Sequence, residues 1–248
     1  MTDAVTYESR DGIAIITINR ESRMNAIGPE VEAGLAAAWK RLRDTPEDRV
    51  GILTGAGAKA FSAGKDMACT APPDYRSFTP NVGVLLEKPL IAAISGWCIG
   101  GSIVLTLMCD LCVATEDAKF MYPEAKMGFA GGMIASAAAR IPHKVAMELM
   151  LLGEPICAQR AYDVGMVNRV VPAGQHMVEA MKLAQRLAAN APLVMTMLKR
   201  LAAQTTPMSP VEIAGHAWRE NQRVFESDDF AEGLASFTEK RPPAFTGR

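Results

Sequence analysis

The stretch Leu90-Ile-Ala-Ala-Ile-Ser-Gly-Trp-Cys-Ile-Gly-Gly101 decides how this chain is read. Leu90 to Ile94 is a continuous apolar run of strand length, and it stops at Ser95-Gly96. The paired glycines Gly100-Gly101 then open a second, mostly apolar run that continues through Ser102 to Asp110 with helical character. The predicted order is strand, sharp turn, helix N-terminus. Free N–H groups collect at such a terminus, the helix dipole is positive there, and glycine admits a ligand close to the backbone. Tight helix packing is the competing reading of a Gly-Gly pair taken alone.

Upstream, Val50-Gly-Ile-Leu-Thr54 reads as another buried strand, followed by the glycine-punctuated loop Gly55 to Asp66. Phe61-Ser-Ala-Gly-Lys-Asp66 together with Gly96-Trp-Cys-Ile-Gly-Gly101 resembles the crotonase, or enoyl-CoA hydratase/isomerase, superfamily. The resemblance implies an oxyanion hole made by two backbone N–H groups, those of Lys65 and Gly101, for the thioester oxygen of an acyl-CoA. It also carries over Ser62, Gly64 and Asp66 as substrate-binding positions.

Composition bounds the class independently. At 248 residues, 49% hydrophobic and 21% charged, the chain can bury one substantial core. A net charge of −1 and a pI near 6.3 offer no bulk attraction to nucleic acid or an anionic membrane. No apolar run approaches the roughly 20 residues that span a bilayer, and Met1-Thr-Asp-Ala lacks a leader's basic start, so a cytoplasmic protein is expected. Cys69, Cys98, Cys109, Cys112 and Cys157 are odd in number and in no paired metal-ligand pattern, which predicts reduced, buried thiols. His143, His176 and His216 show no metal spacing, and no metal is expected.

Val5 to Ser9 and Ile13 to Ile18 flank Asp11-Gly12 and read as a hairpin. A polar loop, Asn19 to Ala26, precedes a helix with Val31, Leu35, Ala38, Trp39 and Leu42 on one face. The resemblance lays this loop along the CoA, with Arg23 and Met24 as contacts, although Glu21 stands where proline is usual. Met67 to Asn81 reads as irregular; in the family this region walls the acyl pocket. Tyr75 within it reads as a surface tyrosine, with substrate contact as the alternative.

Past the glycine helix, Pro123-Glu124 at the exit of an apolar strand, ahead of the small residues Gly128 to Gly132, places a carboxylate toward a pocket. Glu124 lies fourteen residues beyond Asp110, the family's spacing for its catalytic acid/base. The hydratases carry another glutamate three residues after the oxyanion glycine, and here that position is Val104. Two carboxylates can activate one water between them; valine cannot. The Δ3-Δ2-enoyl-CoA isomerase branch keeps only the later glutamate, and the hydratase/lyases of hydroxycinnamoyl-CoA also lack the earlier one.

From Ile134 the chain reads as helices with one strand. Residues 1–191 are assigned to the core with the acyl-CoA site and 192–248 to a helical trimerisation region, where Leu193, Met197 and Leu201 recur at fourfold spacing and Val211 to Phe225 and Asp228 to Phe237 follow as helices. Its excess of apolar residues predicts a partner subunit. The resemblance implies trimers, often paired into hexamers, with Phe237 and Lys240 reaching a neighbour's CoA.

The fold expected is α/β, a crotonase fold of repeated ββα units forming two sheets with a C-terminal helical oligomerisation layer. The implied chemistry is stabilisation of a thioester enolate, with coenzyme A as part of the substrate and no separate cofactor. Proton transfer by Glu124 alone, as in the Δ3-Δ2 isomerases, is the first reading. The alternatives are a hydratase or hydratase/lyase on an aromatic acyl-CoA, and a non-catalytic crotonase-like scaffold.

Overall fold

The computed structural model describes residues 4–129, 131–205, 218, 220–222 and 224–247. His216 and most of the expected helix Val211 to Phe225 lie outside them.

The hairpin forms as the turn chemistry requires. Strand β1 (Val5–Arg10) pairs antiparallel with β2 (Ile13–Ile18), and Asp11 and Gly12 take the positive φ of a tight hairpin turn, +53° and +76°. Strands β3 (Val50–Gly55), β5 (Leu90–Ile94), β7 (Leu111–Thr115) and β10 (Arg169–Val171) extend this sheet in parallel, in the order β1-β2-β3-β5-β7-β10. A second sheet is built from short strands: β4 (Ala60–Ser62), β6 (Trp97–Ile99), β8 (Lys119–Met121) and β9 (Ile156–Cys157), in the order β4-β6-β8-β9. Each long strand β3, β5 and β7 is thus followed by a short one that crosses to the other sheet.

The crossings correct the strand–turn–helix order expected after Leu90, because β6 stands between the turn and the helix. Gly96 makes the crossing at φ +65°, where a Cβ would collide with the Lys59 carbonyl. A further correction is that two strands, β9 and β10, follow Ile134 where one was expected.

Helix α1 (Pro29–Asp44) starts on a proline at its first turn and buries Val31, Leu35, Ala38, Trp39 and Leu42, the predicted face. At roughly 1.5–3 kcal/mol for each large side chain removed from water, this stripe holds the helix on the main core. Trp39 Nε1 donates to the Phe78 carbonyl at 2.6 Å and so anchors α2 (Tyr75–Phe78), a helical turn inside the segment expected to be irregular. The other face of the first sheet is covered by the later helix His176–Ala189, whose Ala180, Leu183 and Ala184 pack on Ile13, Val50, Ile52, Ile91, Ala93 and Val113. Burial on both faces explains why β3 and β5 read as unbroken apolar runs.

Helix α3 (Gly101–Met108) is wholly buried. Of the cysteines, all unpaired, Cys98, Cys109 and Cys112 are buried as expected, whereas Cys157 is exposed and Cys69 half-buried. Helix Pro192–Thr205 has no buried residue; Lys199 ties it to Asp110 (2.7 Å) and the Lys88 carbonyl (2.8 Å), while Leu193, Met197 and Leu201 face outward. The last helix, Asp228–Glu239, is capped by Ser227, whose Oγ accepts the Phe230 N–H at 3.2 Å. It packs within the same chain against α4 (Glu124–Met127), close enough that a Cβ on Gly233 would collide with the Met127 carbonyl. No helix among the described residues is long and apolar enough to cross a membrane.

Candidate active site

The loop after β4 and the N-terminus of α3 are held against one another by backbone contacts. Ser102 Oγ donates to the Ser62 carbonyl at 3.1 Å, and Gly64 packs on the Ile99 carbonyl and Gly100, with room for no side chain. The Gly64 N–H donates to Ser62 Oγ at 3.1 Å, so fully buried Ser62 shapes the loop from within. Ile27 N–H donates to the Gly64 carbonyl (2.7 Å) and Asp66 N–H to the Ile27 carbonyl (2.8 Å), which pins the peptide on either side of Lys65. The Lys65 and Gly101 N–H groups themselves donate to no described acceptor. Two free N–H donors on adjoining loops are the minimum an oxyanion needs.

Glu124 opens α4, and its Oε1 lies 2.6 Å from where a Gly100 Cβ would stand. Gly100, at φ +60°, therefore serves both the turn and the approach of the carboxyl. Three carboxylates are buried among the described residues: Asp48, Asp66 and Glu124. Asp48 accepts from Tyr7 (2.6 Å) and Ser9, and Asp66 from Arg20 (3.0 Å), Arg23 (3.3 Å) and the Ala68 N–H (3.1 Å). Glu124 Oε2 has no hydrogen-bond partner among the described residues. Burial pushes the Glu124 carboxyl up to about 8, against a lesser opposing pull from its own backbone N–H. An unsatisfied buried acid with a displaced pKa is a mark of function rather than of folding. Val104, one turn into α3, is buried and apolar where the hydratases of the resemblance have their earlier glutamate.

Tyr75 is the main correction to the sequence reading at the site. It is 7% exposed, not a surface residue, because α2 folds it onto the start of α3, with its Oη 3.4 Å from the position of a Gly101 Cβ. The hydroxyl makes no hydrogen bond to a described residue, and burial, then the charges of Glu124 and Glu32, push its pKa up. Tyr122, two residues before Glu124, is also buried and donates to the Gly131 carbonyl at 2.6 Å. Burial, then the charge of nearby Glu124, push its pKa up.

The chain matches the family described as Enoyl-CoA hydratase/isomerase over residues 8–248. It is 35% identical to (E)-benzylidenesuccinyl-CoA hydratase of Thauera aromatica, over 98% of this chain and 99% of that protein. It is likewise 35% identical to carnitinyl-CoA dehydratase of Salmonella typhimurium, over the full length of both. The solved structure of a carnitinyl-CoA dehydratase from Mycobacterium avium superposes with a TM-score of 0.88 at 36% identity, covering all of both chains. The chain belongs to the enoyl-CoA hydratase/isomerase family. Its two sheets and helices are the crotonase fold.

Within this family member the predicted site residues separate into three groups. Lys65, Gly101 and Glu124 converge through the contacts above. Lys65 extends its ammonium over the Phe129 ring (4.7 Å to the centroid), where burial lowers its pKa. Asp66, Arg23 and Met24 form the neighbouring loop joint: exposed Met24 gives its carbonyl to the Ala63 N–H at 2.9 Å, and Arg23 is held on Asp66. Phe237 and Lys240 lie exposed at the end of the last helix. Sequence reasoning passed over Tyr122, Gly131 and Asn221. Gly131 lay inside a run singled out only for its small residues, and Asn221 had no local signal, because its contact spans 89 residues.

Proposed function

We propose that this protein adds water to, or removes it from, the α,β position of an acyl-CoA thioester, with Glu124 as its only carboxylate acid/base. The observation that carries the reading is the buried Tyr75 side chain, whose hydroxyl lies against Gly101, next to the Glu124 carboxyl at Gly100, whose Oε2 has no hydrogen-bond partner among the described residues. The names of the relatives, a hydratase and two dehydratases, support the same direction.

The Lys65 and Gly101 N–H groups bind the thioester oxygen and stabilise the enolate. In dehydration, ionised Glu124 takes the α-proton, and the enolate expels the β-hydroxyl. The departing oxygen collects the proton from Glu124 and leaves as water. In hydration the same carboxylate takes a proton from water as its oxygen bonds the β-carbon, then returns a proton to the α-carbon. Tyr75 holds the water or hydroxyl in place, the task that a second carboxylate would otherwise share. CoA arrives with the substrate, and this chemistry calls for no other cofactor.

Val104 favours a second reading, the single-glutamate Δ3-Δ2 isomerase, in which Glu124 moves a proton from the α to the γ carbon and needs no water-holding group. The outward apolar face of the helix Pro192–Thr205 supports assembly as a trimer or dimer of trimers. A panel of 2-enoyl, 3-enoyl and hydroxycinnamoyl thioesters with product identification tests the assignment. Hydration of a 2-enoyl ester is the expected result; isomerisation of 3-enoyl esters without hydration transfers the protein to the second reading.

A further inference from the structure

Asn221 is 6% exposed, comes from the C-terminal part of the chain, and is bonded to the turn beside the reacting groups. The Gly132 N–H donates to its Oδ1 at 3.0 Å, and because a peptide N–H can only donate, this bond fixes which way the amide faces. The carbonyl of the same peptide, that of Gly131, accepts the Tyr122 hydroxyl at 2.6 Å. A peptide is planar with its N–H and C=O opposed, so pinning one end aims the other. A Gly-Gly peptide has little resistance of its own to turning over. Phe225 packs on Phe129 at 5.4 Å between ring centroids, which seats the Asn221 segment on this side of the site.

The surroundings of the peptide are close. A Cβ on Gly131 would collide with the Tyr122 hydroxyl and stand 3.1 Å from Tyr75 Oη. Both tyrosine hydroxyls therefore lie against Gly131, and its carbonyl, as the peptide is oriented, takes that of Tyr122. Turned over, it would offer the tyrosines an N–H in place of an acceptor, and the Tyr122 hydroxyl would be released toward Tyr75.

We propose that Asn221 is a positioning residue for the water step: by pinning the Gly131–Gly132 peptide it commits the Gly131 carbonyl to Tyr122 and keeps the Tyr75 hydroxyl free for the water or β-hydroxyl. The inference rests on the hydration reading above. It concerns only the step at the β-carbon, since the thioester oxygen and the α-proton are handled by Lys65, Gly101 and Glu124.

That division supplies the test. Two rates are measured on the same protein: hydration of whichever 2-enoyl-CoA of the panel the wild type accepts, and exchange of the α-proton of its saturated counterpart with deuterium oxide. Asn221→Ala is expected to lower kcat for hydration about ten- to a hundredfold, the scale of a small misplacement near the chemistry, with KM and α-exchange held within about twofold. Asn221→Asp, whose carboxylate oxygen accepts the same N–H, is expected to recover most of the hydration. Unchanged hydration in Asn221→Ala, parallel loss of both rates, or an aspartate variant no better than alanine overturns the proposal. Should Asn221→Ala not fold, Tyr122→Phe removes the other partner of the same peptide and must show the same selective loss; equal rates there overturn it as well. A wild type that exchanges the α-proton and hydrates nothing defeats the functional reading and this proposal together, an outcome distinct from failure in the variants alone.

Discussion

Asp66 and Glu124 are equally buried, each 8% exposed, and their pKa values move in opposite directions. Asp66 also meets a penalty of burial, but the Ala68 N–H, then Arg20 and Arg23, overcome it and hold its carboxyl below the ordinary carboxylate range. Glu124 has no cation and no side-chain donor among the described residues, and is pushed up to about 8. The depth of burial sets the cost of a charge, and the partners decide whether the charge is kept. One carboxylate accordingly fastens two loops together, while the other is left able to exchange a proton with a ligand.

The comparison breaks first at Glu124. Glu124→Gln keeps the shape and removes the acid/base, so turnover should fall by roughly 10²- to 10⁴-fold in steady-state assay. In the wild type kcat/KM should rise with pH and level off above about 8, because both directions of the reaction start from ionised Glu124. The stability effect has the opposite sense. A pKa raised from 4.5 means that the folded state binds more protons than the unfolded state across the window from 4.5 to about 8, so wild-type stability declines as pH rises through it. At about 1.4 kcal/mol per unit the decline amounts to a few kcal/mol. Glu124→Gln lacks this decline and should be the more stable protein at pH 9, with little difference at pH 4.5; denaturant titrations at the two pH values check it. A variant that keeps most of its turnover removes Glu124 from the mechanism.

Next in size is Gly101→Pro, which deletes one of the two free N–H donors without touching either carboxylate. A loss on the order of 100-fold in turnover is expected, the scale of one oxyanion donor. Full activity in a variant with wild-type circular dichroism shows that the Gly101 N–H does not face the thioester.

Asp66→Asn should then affect folding more than chemistry. Losing a buried, paired charge is expected to cost about 1–3 kcal/mol at pH 7, read from denaturant midpoints. Because the folded pKa is depressed, the contribution of Asp66 is present above the ordinary carboxylate range and fades as pH falls below it. Wild type and variant should therefore converge in acid. A gap that persists at the lowest pH where both remain folded would mean that the charge is not the source.

Legibility in the sequence followed the range of the interaction. Leu90–Ile94, the Asp11-Gly12 turn and the face of α1 were readable because the residues that decide them are adjacent or one helical turn apart. Strands β4, β6 and β9, two or three residues long, are too short to show a period and exist only because neighbouring strands supply their partners. The resemblance placed Lys65, Gly101 and Glu124 by motif. Tyr75 was misread because its polar, proline-bearing surroundings look solvated, whereas the Trp39 to Phe78 bond draws α2 down onto Gly101. Asn221 reaches its partner from so far along the chain that no window of sequence contains both.

The smallest effect separates the two arginines on Asp66. Arg20 is mostly buried, with its side chain 20% exposed, and donates to the Ala26 carbonyl (2.8 Å) as well as to Asp66 (3.0 Å). Arg23 has its side chain 54% exposed and reaches Asp66 at 3.3 Å through one nitrogen. An ion pair that open to water contributes little, so Arg23→Ala should cost at most about 0.5 kcal/mol of stability, and Arg20→Ala clearly more. Exposure leaves the remaining guanidinium donors of Arg23 available to a phosphate, the CoA contact that the family resemblance implies. Arg23→Ala should then weaken acyl-CoA binding by about 1 kcal/mol at low ionic strength, and by less as salt is added, since exposed charges are screened over about 10 Å. Calorimetric titration at two salt concentrations reads both quantities. Binding that is unchanged at low salt, with a stability loss matching that of Arg20→Ala, would make Arg23 a second fastener of Asp66 and take it out of the CoA site.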